Sequence, residues 1–361
     1  MPTAVTVLPG DGIGPEVVAA ACEVLDATGV GLQWEHHHVG AAAVAESGSA
    51  LPDSVLESVR RNRVALKGPV ATPREAGFRS VNVALRRALD LYVQVRPNRS
   101  WPALTGTSPG VDLHVVRETT EDLYAGHELA AHHPDTVELL QWLAARGIEL
   151  PAGTAVSLKP TTYEASARAA RFALEHAVAV GAGRVTFVHK AAVMRSTDGL
   201  FLAAARDVAR DYETVVEVDD LSVDAAAAAL VRQPQSFGLL FMPNMYGDVL
   251  SDLAAALVGG IGMAPGANYG DGVAVFEAVH GTAPRRAGAG TANPLGVLLS
   301  GVLMLRYLGE VGAADRVDRA VTAVLADGRA LTADLRHRDD PRPPVSTGAM
   351  TEALLVALAD A

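Results

Sequence analysis

Only one cysteine, Cys22, occurs in 361 residues, so no intrachain disulfide and no all-cysteine zinc site can form, and the composition suits a reducing compartment. Positive charge is also in deficit. The 30 lysines and arginines against 41 acids leave a formal charge of −11, which argues against bulk binding to nucleic acid or an anionic membrane. No apolar run reaches the roughly 18 residues a spanning helix needs, and Met1 to Leu8 lacks the basic and apolar regions of a leader, so a soluble cytoplasmic protein is expected. No repeat period and no Gly/Ser linker are visible. What is present is a hydrophobic fraction of 49% with 20% charged residues, the composition of a folded globular chain. Its length predicts one large or two ordinary domains, since single cores stop growing at roughly 250–300 residues.

The pattern is α/β. Thr3 to Leu8 reads as a strand that meets the loop Gly10–Gly14 and then a helix from Glu16 to Ala27. Further strands are predicted at Gly31–Val39, Val64–Leu66, Leu113–Arg117, Ala155–Lys159, Arg184–His189, Val215–Val218 and Leu239–Pro243. Helices are predicted at Ser54–Asn62, Tyr163–Val180, Gly199–Asp211, Asp224–Arg232, Leu295–Leu308, Ala313–Leu325 and Thr351–Leu358. With no linker, a second domain arises by the chain leaving one sheet and returning to it.

Several constellations carry chemistry. Gly10, Gly12 and Gly14 follow a strand, but a dinucleotide fingerprint needs glycine where Pro15 stands, so a tight turn feeding a helix is the better reading. Asp248 and Asp252 lie four apart on one helix face, where two like charges repel unless a hard cation such as Mg²⁺ or Mn²⁺ sits between them; a capped helix start with a solvated second acid is the bland alternative. Ser80, Asn82 and Arg86 fall on one helix, and Arg96 and Arg117 at strand or loop edges. Arginine forks converging on one pocket suit a di- or tricarboxylate, although each alone reads as a solubilising charge. Lys190 ends an apolar strand, and with Tyr124 it is a candidate for proton transfer. His36-His37-His38 reads as an exposed edge.

The sequence resembles the decarboxylating β-hydroxyacid dehydrogenases, the isocitrate and isopropylmalate dehydrogenase family, from Leu8 to about Leu308. The resemblance is carried by Leu8-Pro9-Gly10-Asp11-Gly12-Ile13-Gly14-Pro15-Glu16, Leu66-Lys67-Gly68-Pro69, Leu89-Asp90-Leu91-Tyr92 with Arg96-Pro97, and Val116-Arg117-Glu118. It continues through Val188-His189-Lys190-Ala191, Asn244-Met245-Tyr246-Gly247-Asp248 with Ser251-Asp252, and His280-Gly281-Thr282-Ala283-Pro284. It implies a two-domain α/β fold that is not Rossmann: a large domain of residues 1–92 and 259–361, a small domain of 93–121 and 163–258, and a clasp at 122–162 through which two subunits form a homodimer with shared sites. It assigns substrate carboxylates to Arg86, Arg96 and Arg117, and the metal, Mg²⁺ or Mn²⁺, to Asp248 and Asp252 plus Asp224 from the partner subunit. Lys190 handles the hydroxyl proton, and Tyr124 supplies the proton that completes the product after CO₂ leaves. It places the cofactor against Ile13, Thr72, the loop with His280, Gly281, Thr282, Ala283, Pro284, Arg285 and Arg286, and Asn293, with Glu277 close by.

Ser80 and Asn82 match the isocitrate members, whereas isopropylmalate members have a leucine-rich helix there to meet an isopropyl group. A small polycarboxylate, isocitrate or a close analogue, is expected. Ala192 departs from the asparagine usual in isocitrate members, which leaves room for homoisocitrate, isopropylmalate or a phosphonate analogue of isocitrate. Arg285 and Arg286 stand where NAD members tend to have an acid, so NADP is favoured over NAD; Arg336 and Arg338 lean the same way. Some relatives are regulatory subunits without turnover, but these typically lose the catalytic or metal groups, and Tyr124, Lys190, Asp224, Asp248 and Asp252 are all present.

Overall fold

The computed structural model describes residues 2–71, 80–104 and 106–361. In chain order the elements begin with β1 (Thr3–Leu8), α1 (Gly14–Asp26), β2 (Leu32–His36), α2 (Ala41–Ser47), α3 (Asp53–Asn62), β3 (Val64–Lys67), α4 (Val81–Ala88), β4 (Val93–Arg99) and β5 (Asp112–Glu118). An arm follows, made of β6 (Glu128–Leu129), α5 (Pro134–Ala144) and β7 (Val156–Ser157). Next come α6 (Tyr163–Val180), β8 (Arg184–His189), α7 (Thr197–Ala209), β9 (Glu217–Ser222), α8 (Val223–Arg232), β10 (Leu239–Met242) and α9 (Asn244–Val258). The chain closes with β11 (Pro265–Gly270), β12 (Val273–Ala278), α10 (Leu295–Tyr307), α11 (Val311–Asp327) and α12 (Thr347–Ala359).

Ten strands form one sheet in the order β2-β1-β3-β12-β11-β4-β5-β10-β8-β9, and β6 and β7 form a separate two-stranded ribbon. The ends of the sheet are parallel, while β12-β11-β4-β5 run antiparallel through its middle. Helices cover both faces, as parallel strands require. At one end α1, α10, α11 and α12 bury Val17, Leu25, Leu298, Met304, Val321 and Leu354 against Val5, Val7 and Phe276. Opposite them α3 and α4 bury Val59 and Leu85 against Ala65 and Val275. At the other end α6 and α7 bury Leu174 and Phe201 against Phe187 and Phe241, and α8 and α9 cover Leu113, Val115, Leu240 and Met242 with Leu230 and Leu250. The face shared by α4 and α9 is where the candidate site lies.

The glycine loop does what a tight turn does. Gly12 adopts φ +63, and a Cβ there would meet the Thr282 carbonyl oxygen at 2.0 Å, so only glycine lets this loop lie against residues 280–284. Ile13 N–H donates to that same carbonyl at 2.9 Å.

Candidate active site

Sheet register builds the site. Lys67 pairs with Glu277, Asn268 pairs with Val275 and with Gln94, and Gln94 pairs with Arg117. Cross-strand partners share a face, and Arg96, two residues from Gln94, shares it as well. A polar row therefore crosses five strands, and Lys67, Gln94, Arg96, Arg117, Asn268 and Glu277 are all buried.

The arginines are held from behind. Arg86, on α4, donates Nε to Asn268 Oδ1 at 2.8 Å and Nη2 to Glu277 Oε1 at 3.1 Å. The Glu277 carboxylate also accepts from Lys67 Nζ at 2.5 Å. Although burial alone would raise it, the Lys67 and Arg86 charges hold that carboxyl well below the usual range. Arg117 donates Nε to Asn244 Oδ1 at 2.8 Å and Nη1 to Asp248 Oδ1 at 2.5 Å and Gln94 Oε1 at 3.3 Å. Arg96 reaches Ser251 Oγ at 2.5 Å, Asp252 Oδ1 at 3.0 Å and Asp248 Oδ1 at 3.4 Å. Burial pulls the Arg117 guanidinium down to about 10, with Arg86 the next contributor, and burial lowers Arg96 too. Two donor nitrogens, Arg96 Nε and Arg117 Nη2, are buried with no partner. Three cations that repel one another, two of them with unspent donors, suit a polyanion.

Helix α9 brings the acids. It starts directly after β10 and lays Asp248 and Asp252 over the arginines, and Gly247 permits this: a Cβ there would stand 2.6 Å from Arg117 Cβ and Cγ. Tyr124, in a 3₁₀ turn at Leu123–Ala125, donates its hydroxyl to Asp248 Oδ2 at 2.5 Å, and the Arg117 guanidinium lies 4.8 Å from the centre of its ring. Burial and the Asp248 charge raise the Tyr124 hydroxyl, so its proton is retained. The two acids are pushed apart. Burial raises Asp252, and the Asp248 charge adds to it. Asp248 is also raised by burial, but Arg117, the Tyr124 hydrogen bond and Arg96 outweigh this and lower it.

Lys190 and Asp224 form their own ion pair, half-exposed and exposed, and the lysine lowers the Asp224 carboxyl. Among the described residues no hydrogen bond or ion pair joins either of them to Asp248 or Asp252, and no three His, Cys, Asp or Glu side chains gather as a metal would need. In the loop after β12, Arg285 and Arg286 lie exposed on a 3₁₀ turn, Pro284–Arg286, and neither has an ion-pair partner among the described residues. His280 is buried with Nε2 unpartnered, and burial lowers its pKa.

A family model described as isocitrate/isopropylmalate dehydrogenase matches residues 4–354. The chain belongs to that family. It is 43% identical over 335 residues to the isocitrate dehydrogenase [NAD] catalytic subunit 5, mitochondrial, of Arabidopsis thaliana, covering 92% of this chain and 84% of the relative. It is 42% identical over 325 residues to the chloroplastic 3-isopropylmalate dehydrogenase of Solanum tuberosum, covering 90% and 85%. The crystal structure of isocitrate dehydrogenase from Methylococcus capsulatus superimposes with a TM-score of 0.90 at 43% identity, covering 99% of each chain. The protein is accordingly an NAD(P)-dependent decarboxylating dehydrogenase with the isocitrate/isopropylmalate dehydrogenase fold.

Within this family's site the structure refines several assignments. Ser80 caps α4 from outside instead of lying on it, and Asn82 turns a buried Oδ1 with no partner. Glu277 is engaged with Arg86 and Lys67 in a buried ion cluster. Asn293 uses its amide on Asp334 and on the Leu295 N–H that starts α10. The Arg336 side chain is buried and bound to Asp340 at 2.9 Å, whereas Arg338 is exposed. Thr72 lies outside the described residues. Sequence reasoning missed Lys67, Gln94, Asn244 and Asn268; the available signal was a polar side chain inside a short, otherwise apolar strand or directly after one.

Proposed function

We propose that the protein oxidises and decarboxylates isocitrate or a close analogue to a 2-oxo acid and CO₂, as a homodimer with shared sites, using NADP in preference to NAD and Mg²⁺ or Mn²⁺. The observation that carries this reading is the pair of buried, unpartnered donors on Arg96 and Arg117 beside Asp248, Asp252 and Tyr124. The polar tip of α4, Ser80 and Asn82, adds a lining that hydrogen-bonds a charged substituent and leaves donors and acceptors stranded against an isopropyl group.

The acids fit a divalent cation. Both are oxygen donors one helical turn apart, and Asp252 is held up in part by the charge of Asp248, a repulsion that a cation removes. Asp248 and Asp252, completed by Asp224 of the partner subunit, would hold it, and when bound it would supply positive charge beside the hydroxyl oxygen whose carbon is being oxidised. Arg86, Arg96 and Arg117 fix the carboxylates and with them the carbon that delivers hydride to the nicotinamide ring. Lys190, lent by the partner subunit, takes the hydroxyl proton. After CO₂ leaves, the Tyr124 hydroxyl gives its proton to the carbon left behind. Exposed apolar residues beside these groups support the shared site: Val249 lies between the two acids and is 63% exposed, and Val193, three residues from Lys190, is 71% exposed. A second copy covering this face accounts for both. The same reading divides the chain into a large domain around β1, β3 and β12, a small one around β5, β8 and β10, and the arm as clasp.

For the cofactor, Arg285 and Arg286 present two free cations to a 2′-phosphate. A second substrate reading, an analogue with a phosphonate in place of the γ-carboxylate, is favoured by Ala192, exposed just after Lys190 and too short to crowd a larger anion. The test is a panel of isocitrate, homoisocitrate, isopropylmalate, malate, tartrate and a phosphonomethylmalate, with either metal and either cofactor, followed as reduced nicotinamide. Turnover of isocitrate or the phosphonate acid, abolished by chelation and by Asp248→Asn, is the expected result. Turnover in excess chelator removes the metal, and no turnover of any acid in the panel removes the isocitrate-like substrate reading.

A further inference from the structure

Below the site lies a buried ion cluster that reaches the working residues through backbone groups and neighbouring side chains. Lys159, between β7 and α6, places Nζ 2.7 Å from Asp122 Oδ1 and 3.2 Å from Asp198 Oδ1. Its ammonium stands 5.5 Å from the ring centre of Tyr246. Asp122 is 3% exposed and Asp198 is 0% exposed, and among the described residues this lysine is the one cation paired with these two buried carboxylates.

Each neighbour of Lys159 governs a different working segment. Asp122 caps the 3₁₀ turn that carries Tyr124, and its Oδ2 accepts the Met245 N–H at 2.8 Å, at the start of the helix bearing Asp248. Asp198 Oδ2 accepts the backbone N–H of Lys190 at 2.7 Å. Tyr246 sits on α9 two residues before Asp248. Asp122 also holds φ 69 and ψ −166, a backbone region that glycine alone enters readily. A non-glycine residue persists there when its surroundings over-determine it, and here the Lys159 and Met245 contacts, with an N–H bond to the Pro160 carbonyl at 3.1 Å, do so.

We propose that Lys159 is a positioning residue that sets Tyr124, Lys190 and Asp248 relative to one another through Asp122, Asp198 and Tyr246. The proposal rests on the reading of those three groups as the working residues. If Lys190 serves the partner's site, as that reading has it, Lys159 joins the acid of one site to the base lent to the other, and a single substitution disturbs both.

The experiment compares Lys159→Met with Lys159→Arg in the full-length protein. With whichever acid the wild type oxidises, Lys159→Met is expected to lower kcat on the order of 10²-fold, the scale of a small misplacement of reacting groups, while KM for acid and cofactor stays close to wild type. Lys159→Arg restores most of the loss. Amide hydrogen exchange supplies a readout that needs no turnover: Lys159→Met accelerates exchange in residues 121–126, 188–198 and 243–248 together. Unchanged kcat, a loss confined to KM, or faster exchange confined to 156–162 overturns the proposal. If Lys159→Met does not fold, Asp198→Asn, which keeps an oxygen for the Lys190 N–H but drops the charge facing Lys159, is expected to lower kcat and loosen 188–198; wild-type kcat and exchange in that variant overturn it equally. A wild type that oxidises none of the acids defeats the substrate reading alone, and exchange still decides the role of Lys159.

Discussion

Glu277→Gln is expected to damage this protein more than Lys67→Met, although the two residues form one ion pair. Lys67 Nζ is almost fully buried, and among the described residues its only bond besides Glu277 is to the Gly68 carbonyl at 3.0 Å. Glu277, by contrast, retains Arg86 and Asn268 when Lys67 is removed. Stripping the carboxylate charge therefore strands a buried ammonium, a change that costs about 3–5 kcal/mol, whereas losing the lysine costs about 1.5–3 kcal/mol for one charged hydrogen bond. With unfolding entropy of about 2.1 cal/mol/K per residue, 361 residues give a Tm drop of about 4–7 °C for Glu277→Gln. The double variant, Lys67→Met with Glu277→Gln, should lose less than Glu277→Gln alone, because neither charge is then orphaned. The pH dependence has a definite sign. The folded-state pKa of Glu277 is depressed, so its contribution is complete above the ordinary carboxyl value of about 4.3 and is shed as pH falls below it; the gap in stability between wild type and Glu277→Gln narrows on acidification. Calorimetry or urea unfolding of the four proteins at pH 7 and at acid pH measures all of this. Equal losses for the two single variants, or a double variant that loses their sum, would refute the reasoning.

Replacing Arg285 and Arg286 with Asp and Ile should remove two charge-assisted hydrogen bonds worth roughly 1.5–3 kcal/mol each from NADP and little from NAD; an unchanged ratio of kcat/KM for the two cofactors at low salt shows that the arginines face solvent. Lys190→Met should be inactive while the acid still binds, because the arginine cluster is intact; calorimetric titration together with a rate assay separates the two effects, and an unaltered rate removes the lysine from the chemistry. Cys22 is buried in α1, and burial, with Asp26 adding, pushes its thiol up to about 12. The native protein should therefore ignore thiol reagents at pH 8 and react only on unfolding; fast labelling of folded protein contradicts this.

Much of the fold was legible because its helices are long: amphipathic Tyr163–Val180 is found as predicted, and Leu295–Leu308, apolar almost all round and buried, ends one residue early. The strands that escaped notice are the two-residue β6 and, in the main sheet, β4, β11 and β12, whose buried interiors carry Gln94, Arg96, Asn98, Asn268 and Glu277 and so break the apolar signal of a central strand. Strand β9 starts and ends later than Val215–Val218, at Glu217–Ser222, because its Asp219 and Asp220 are satisfied by Arg184, Thr186, His189 and Arg206. The strand predicted at Ala155–Lys159 shrinks to two residues pairing with Glu128–Leu129, and α2 and α5 were unread because short helices of small or exposed residues show little periodicity. At the site, the spacing of Asp248 and Asp252 was readable from a single helix, whereas the convergence of Arg86, Arg96 and Arg117 needed four strands in register. The Lys159 cluster draws on segments remote in the chain, and no local pattern announces it.

Gly247 also bears on redesign. The separation between the acid-bearing helix and the arginine beneath it is set by one missing carbon, so widening the site for a bulkier acid by mutating the sheet face or α9 shifts donors and acceptors together and loses alignment before it gains room. The tip of α4 has no such restriction: Ser80 and Asn82 sit at the start of a short helix whose far end, at Arg86, is anchored separately. On the proposed reading of Ser80 and Asn82, substrate preference can be exchanged at one end of α4 while the reacting groups keep their places, which makes residues 80–82 the economical place to change what the enzyme accepts.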